Sequence, residues 1–348
     1  MPHHDALIDE IDSLIRRDPA RRGLIATESQ FGPLCSGHLA QAARSLAETG
    51  RCVAIVTGFY IPHASPPAAE TDGPPGALFL ARVFERIGIE TMVVTDENCL
   101  AAVRAAAVAA EYPIPKVVAL SVKSASWVED YFRSDFAARL THLVAVERAG
   151  PSHTAESLAS QKRSGAVPVA EFEATVPGDS RDRCHNMRGM PIDEYGLALY
   201  RLFEDHARFR PGITTIGIGD GANEIGMGIV AWEELRRRLE GAHAPCIPCR
   251  ISTDWNIIAG TSNWGAYALA ACVLLQRGRL DVLEPLDRPS EKNIIEQMVA
   301  NGPAVDGVTG RQEATVDGLP FLTYIQPLEG IRRLLLPHTE HASKETSI

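Results

Sequence analysis

Short β-branched or apolar runs alternate with helix-length segments along most of this chain, and that alternation leaves few architectures open to it. Residues 52–57 (CVAIVT), 91–95, 116–121, 143–147 and 214–218 read as buried strands. Between them lie segments with apolar residues at helical spacing. One starts at the Pro74-Pro75 pair and places Leu80, Val83, Phe84 and Ile87 on one face; others cover 38–48, 96–110 with Asp96 as cap, and 127–136. No hairpin signal intervenes, so the expectation is an α/β fold: a mainly parallel sheet with helices on both faces, in Rossmann-like layers. Residues 1–335 are expected to form a single compact domain and 336–348 a flexible polar tail. Residues 149–189, rich in Pro, Gly and polar side chains, break the rhythm as an inserted loop or subdomain, with 166–174 their only strand-like stretch.

Chemistry gathers after the last clear strand, in TTIGIGDGANEIGMG from Thr214 to Gly228. If Asp220 caps a helix, Asn223 and Glu224 follow on its first turn and all three side chains share a face. Three readings compete. Gly217, Gly219 and Ala222 fit a dinucleotide loop, yet Asp220 would then sit where a pyrophosphate must approach, and no acid closes a second strand about twenty residues on. Asp220 could simply cap a helix. The favoured reading is a divalent-cation site of hard oxygen ligands.

A second acidic stretch, AAETDGPPGA, carries Glu70 and Asp72 in a loop stiffened by Pro66, Pro67, Pro74 and Pro75. Parallel strands joined by right-handed crossovers bring the loops after Thr57, Thr95 and Ile218 to one sheet edge, so Asp72 and Asp220 should face each other. Two carboxylates about 4 Å apart repel by roughly 4 kcal/mol at an effective dielectric near 20. Four in one pocket would therefore be protonated, well solvated or metal-bound. Glu70, Asp72, Asp220 and Glu224 form the expected ligand set for Mn²⁺ or Mg²⁺, and no His or Cys set accompanies them. No organic cofactor is expected. Arg188, at the end of the 149–189 segment, can grip a substrate carboxylate or phosphate through two parallel hydrogen bonds, and Asn223 can add a neutral oxygen.

Composition narrows the partners. With 34 Lys plus Arg against 44 Asp plus Glu, the net charge of −10 argues against nucleic acid or an anionic membrane surface and for a small-molecule substrate. Seven cysteines without regular spacing suggest reduced thiols and a cytoplasmic protein; Cys246 and Cys249 make one lone CxxC. No apolar run approaches a membrane span, and association into a homo-oligomer is left open.

ETDGPPGA from Glu70, NMRG from Asn186, GIGDGANEIGMG from Gly217, AGTSNWG from Ala259, and VDGVTG with EATVDGLP near the end together resemble the D-glutamate cyclase C-terminal domain family. The resemblance runs from about Asp18 to Leu328. It implies conversion of D-glutamate to 5-oxo-D-proline and water, and some relatives look like divalent-metal proteins with phosphatase-like activity. Carried onto the matching motifs, it implies Asp72, Asp220 and Glu224 as catalytic residues, and Asn186, Asn263 and Asp306 as substrate-binding residues beside Arg188 and Asn223. The residues alone also suggest a strand over 249–253, Ser262 or Asn263 as cap of an apolar helix over 266–275, Ser290 as cap of a helix through Val299, and Asp-Gly turns at Asp306 and Asp317 around a possible hairpin, so Asn263 and Asp306 have plainer roles open to them. A metal-dependent phosphatase on small phosphoesters and a non-catalytic nucleotide-binding domain remain the alternatives.

Overall fold

The computed structural model describes residues 2–121, 124–196 and 198–336. Six strands form one all-parallel sheet: β1 Cys52–Thr57, β2 Glu90–Thr95, β3 Val117–Ala119, β4 His142–Val146, β5 Thr214–Gly219 and β6 Trp255–Ile258, in spatial order β3-β2-β1-β4-β5-β6. This is the doubly wound order expected for Rossmann-like layers, and it reverses direction between β1 and β4. Ligands in such sheets bind at that reversal, beyond the carboxyl ends of the strands.

Both sheet faces are buried, so the strands are mainly apolar, yet β1 still sorts its side chains by period two. Val53 and Ile55 of β1 join one core, with helices Pro2–Ile15, His38–Thr49, Pro74–Arg86, Ser262–Arg277 and Arg288–Asn301. Cys52, Ala54 and Val56 join the other, with Trp127, Phe132, Leu202 and Phe203. Ser262–Arg277 is the central helix of the first layer. It is buried from Ser262 to Leu275, which an apolar sequence on every face allows, and it stops at Gly278, whose φ of 64° closes a left-handed cap.

Several local expectations are corrected. No helix begins at Asp220; the next is Trp232–Arg236. Residues 220–228 instead bond sideways: Ile225 N donates to Arg148 O, Gly226 N and Gly228 N to Ile251 O, while Gly150 N donates to Asn223 O. A chain whose amides are satisfied laterally has no reason to coil, and Gly226, at φ 113°, takes a conformation that would end a helix. Residues 166–174 contain no strand: Val169–Thr175 is a helix, begun after Pro168 and anchored by Phe172, whose ring meets Trp232 edge-on at 5.3 Å. The Ala/Glu spacing around that single anchor suits a helix better than a strand without a partner. Residues 249–253 form only isolated bridges, through Cys249 and Ser252. Thr261, rather than Ser262 or Asn263, caps the central helix, and Asp287, rather than Ser290, caps Arg288–Asn301. A two-residue turn at Asp317-Gly318, both at positive φ, does join the short antiparallel pair Thr315–Val316 and Leu319–Pro320. Of the expected polar tail, residues 337–348 lie outside the described residues. No described helix is long and apolar enough to cross a membrane.

Candidate active site

Three strand ends and two helix starts meet at the β1/β4 reversal. Asp72 stands one residue ahead of Gly73, the N-cap of Pro74–Arg86. Its carboxylate oxygens accept from the backbone amides of Ser262 at 2.8 Å and Asn263 at 3.0 Å, first-turn donors of the central helix. A carboxylate is well placed at a helix start, where amides are unpaired and the dipole is positive. Asn263 returns the tie: its Oδ1 accepts from Gly73 N at 3.1 Å and Gly76 N at 2.7 Å. Gly73 has φ 97°, and a Cβ there would stand 2.7 Å from Glu147 Cβ, so only glycine lets the two acidic loops approach.

Glu147 follows β4 directly, in the left-handed region at φ 47°, and its Oε2 accepts from Ser262 Oγ at 2.6 Å. Asp220 follows β5 and pairs with Arg22, whose guanidinium also holds Asp317 at 2.9 Å. Asp72, Glu147 and Asp220 each offer an oxygen within 4.8 Å of the other two. The facing of Asp72 and Asp220 expected from topology is thus present.

Glu70, Glu224 and Asp317 complete a group of buried acids around Arg22. Burial raises the pKa of Asp72, and Asp317 and Glu147 raise it further against the two helix amides that hold the charged form. Burial and Glu147 push Glu224 up to about 8, with Arg22 opposing. Burial also lifts Glu70 and Glu147, and the charge of Glu147 lifts Glu70 further. Burial works against the Arg22 charge, but Asp220, Asp317 and Glu147 outweigh it and keep the guanidinium ionised. So much buried acid needs protons or a further cation. Glu70 Oε1, Asp220 Oδ1, Asn223 Oδ1 and Glu224 Oε2 are buried with no hydrogen-bond partner among the described residues. Among the described residues the group placed to share one ion is Asp72, Glu147 and Asp220, which leaves Glu70 and Glu224 of the expected ligands outside it, and its hard oxygens fit a divalent cation such as Mn²⁺ or Mg²⁺.

The acids open into a cavity of about 150 Å³ whose walls include Arg22, Glu70, Glu147, Glu224, Asn186 and Asn223, together with Arg188 and His63. Arg188 is exposed and donates to Val308 O at 3.2 Å. Asn186 Oδ1 takes the amides of Arg188 and Met190, each at 3.0 Å, and so shapes the loop that presents Arg188. Asn223 is held by His185 O at 2.9 Å. Two expected residues stand elsewhere. Asn263 is fully buried behind the acids. Asp306 is likewise buried, and its carboxylate is taken up by Val308 N, Thr309 N, Thr315 Oγ1 and Gly318 N at 2.7–3.0 Å. It builds the turns that carry Gly307 and Asp317 to the site.

Three residues at the centre were not expected: Glu147, Arg22 and Asp317. Glu147 had a usable signal, since it ends a strand read correctly and parallel topology puts that end on the same edge as Ile218. Arg22 and Asp317 had none, one lying in a basic break after the first helix and the other in an ordinary Asp-Gly turn. Cys246 and Cys249 are buried free thiols.

The profile of the family described as D-glutamate cyclase-like, C-terminal, matches residues 11–176 and 173–332. Over 341 residues the chain is 30% identical to the D-glutamate cyclase, mitochondrial, of Homo sapiens, an alignment covering 90% of this chain and 49% of that protein. The chain thus spans about half the length of the curated relative it matches.

Proposed function

The chain belongs to the D-glutamate cyclase-like, C-terminal family, and from that premise we propose that it is a lyase closing D-glutamate to 5-oxo-D-proline with release of water. The observation that carries this reading is the cavity itself, whose lining brings the buried acids Glu70, Glu147 and Glu224 together with Arg22, Arg188 and His63. An amino diacid has the matching polarity: its ammonium suits the acidic wall and its α-carboxylate the guanidinium fork of Arg188.

Ring closure forms a C–N bond between the amine and the γ-carboxyl carbon and breaks one C–O bond. Two protons must leave nitrogen and two must reach the departing oxygen, so the net proton balance is zero and carboxyl groups can shuttle it. Glu224, whose pKa is pushed up to about 8, is protonated at neutral pH and donates to the departing oxygen. Glu147, which lines the cavity and whose charged form Arg22 and the Ser262 hydroxyl favour against burial, takes a proton from the ammonium. Asn186 and Asn223 orient the substrate between these groups. Asp72, Glu147 and Asp220 would hold a divalent cation. When bound, that ion polarises the γ-carboxylate, which is otherwise a poor electrophile.

A metal-dependent phosphatase is the second reading, favoured by the three-carboxylate cluster with an arginine across the cavity. A nucleotide held by the glycine loop is disfavoured, because its phosphates would meet Asp220, Glu147 and Glu224. Incubation with D-glutamate in the presence of Mn²⁺ or Mg²⁺, followed by chiral chromatography, should reveal 5-oxo-D-proline, and EDTA should suppress it. Hydrolysis of p-nitrophenyl phosphate without lactam formation would replace the cyclase reading by the phosphatase one.

A further inference from the structure

The lining of the acidic cavity divides by exposure. Glu70, Glu147, Asn223 and Glu224 are buried, whereas His63, Arg188 and Val308 are exposed and so mark its mouth. Each of the three exposed residues comes from a different turn. His63 sits at the tip of a short hairpin whose strands, Tyr60–Ile61 and Ala68–Ala69, pair antiparallel. That tip is anchored on both sides of the histidine, because Ile61 and Ala64 are buried in an apolar cluster with Phe59 and Val305. Arg188 belongs to the turn that Asn186 shapes. The turn 306–310 braces the other two: Val308 O accepts from Arg188 Nη2 at 3.2 Å, and a Cβ added to Gly310 would stand 3.6 Å from Ala64 Cα.

The two basic groups at the mouth are unspent. Arg188 uses one of its five N–H donors on Val308 O and forms no ion pair among the described residues, unlike Arg22, which is held by Asp220 and Asp317. The His63 ring makes no hydrogen bond among the described residues. Burial and the Arg188 charge hold its pKa below the usual 6.5, and no carboxylate pulls the other way. Glu70 and Glu224, deeper in the cavity, are themselves pushed toward the neutral form by burial. Charges on the segments packed against the hairpin are engaged elsewhere: Asp306 by its own turns, Arg311 by Glu313 at 3.8 Å, and Asp193 by Arg183 at 3.0 Å. A neutral imidazole beside a guanidinium is poised to gain a proton when an anion cancels the repulsion between them.

We propose that His63 reads the substrate's anionic group together with Arg188 and takes up a proton as that group binds. The role rests on the reading of this cavity as the substrate site, and it holds for a carboxylate or a phosphate alike.

Glutarate is a suitable probe, since it has both carboxylates of glutamate and no amine to close a ring. Sulfate, a phosphate stand-in that does not titrate near neutrality, forms a parallel arm, with diamagnetic Mg²⁺ present in both. Calorimetry at about pH 7, in two buffers of different ionisation enthalpy, should show net proton uptake on binding. Proton–nitrogen correlation spectra should show the His63 ring passing from neutral imidazole to imidazolium. His63→Ala should abolish the uptake and weaken binding by about tenfold near pH 6 but little near pH 8, a dependence that a merely structural role would not produce. Arg188→Ala should bring the pKa of His63 in the free protein back toward 6.5. Response to glutarate assigns a carboxylate to the mouth, and response to sulfate alone a phosphate-like group. Binding without proton uptake, an unmoved His63 ring, or no binding of either probe at about 20 mM would overturn the proposal. The cyclase reading fails separately: a His63 ring that responds to glutarate in a protein forming no lactam rejects the cyclase alone, and lactam formation by His63→Ala with an unchanged KM near pH 6 rejects the role of His63 alone.

Discussion

At the scale of single residues, Arg22 has the largest consequence. Its guanidinium neutralises Asp220 and Asp317 inside a group of acids that water barely reaches. Arg22→Gln should therefore cost about 3–5 kcal/mol of stability, the usual penalty for leaving buried charge unpaired. Thermal unfolding with and without Mn²⁺ checks this, and an added cation should recover part of the loss if the acids hold metal. Asp220→Asn should reduce metal affinity and turnover of D-glutamate without disturbing any helix, since none starts there; full turnover by that variant in chelator would remove the cation from the mechanism. His142 gives a pH prediction far from the acids. Burial pushes its pKa down to about 4, against a partial opposing pull from Asp254. The unfolded chain then binds more protons than the native one between that value and the ordinary histidine pKa near 6.5. Stability should be complete above about pH 6.5 and fall toward pH 4 by up to roughly 3 kcal/mol. Urea midpoints of His142→Asn, which keeps a polar group near Ser45 and Thr141, should vary less over that window than those of the parent.

At the scale of elements, the site depends on two helix starts locked face to face. Asn263→Ala would leave the amides of Gly73 and Gly76 buried and unpaired, at a cost of about 2–4 kcal/mol if each is worth the usual desolvation penalty. It would also loosen Asp72, so kcat should fall together with the denaturation midpoint. Asn263→Asp, which still offers an acceptor, should restore less than it could in isolation because it adds charge beside Asp72. Five of the six strands were legible because buried apolar runs leave little choice, whereas Trp255–Ile258 lies just past the 249–253 stretch read in its place, and the order of the six was not foreseen. The loops were not legible, for a different reason. Thr261, Ser262 and Asn263 are all good caps, and which one caps is decided by Asp72, a partner about 190 residues away. Likewise nothing local to Gly219-Asp220-Gly221 reveals that its neighbours will bond to Arg148 and Ile251 instead of coiling. Arg22 and Asp317 follow the same pattern, acquiring their roles only from distant contacts.

At the scale of the whole molecule, both core layers are built on one sheet, and the central helix packs on β4, β5 and β6 beside the Pro74–Arg86 helix, which lies on β2 and β1. We propose that residues 1–335 unfold as one unit: circular dichroism and tryptophan fluorescence should then report one coincident transition, and a separate early transition would mark 149–189 as an independent subdomain. The Arg22 pairs carry a further implication, for synthesis. Arg22 leaves the ribosome first, yet its partners follow 198 and 295 residues later. At ordinary elongation rates of about 5–20 residues per second, the second gap alone lasts roughly 15–60 s. During that interval Glu70, Asp72, Glu147 and Asp220 emerge in turn with their ionic partnership incomplete. The nascent chain can assemble β1 to β4 early, but its acidic centre must stay open to water or to dissolved cations until Asp317 has emerged, so the candidate site closes well after the strands that carry it.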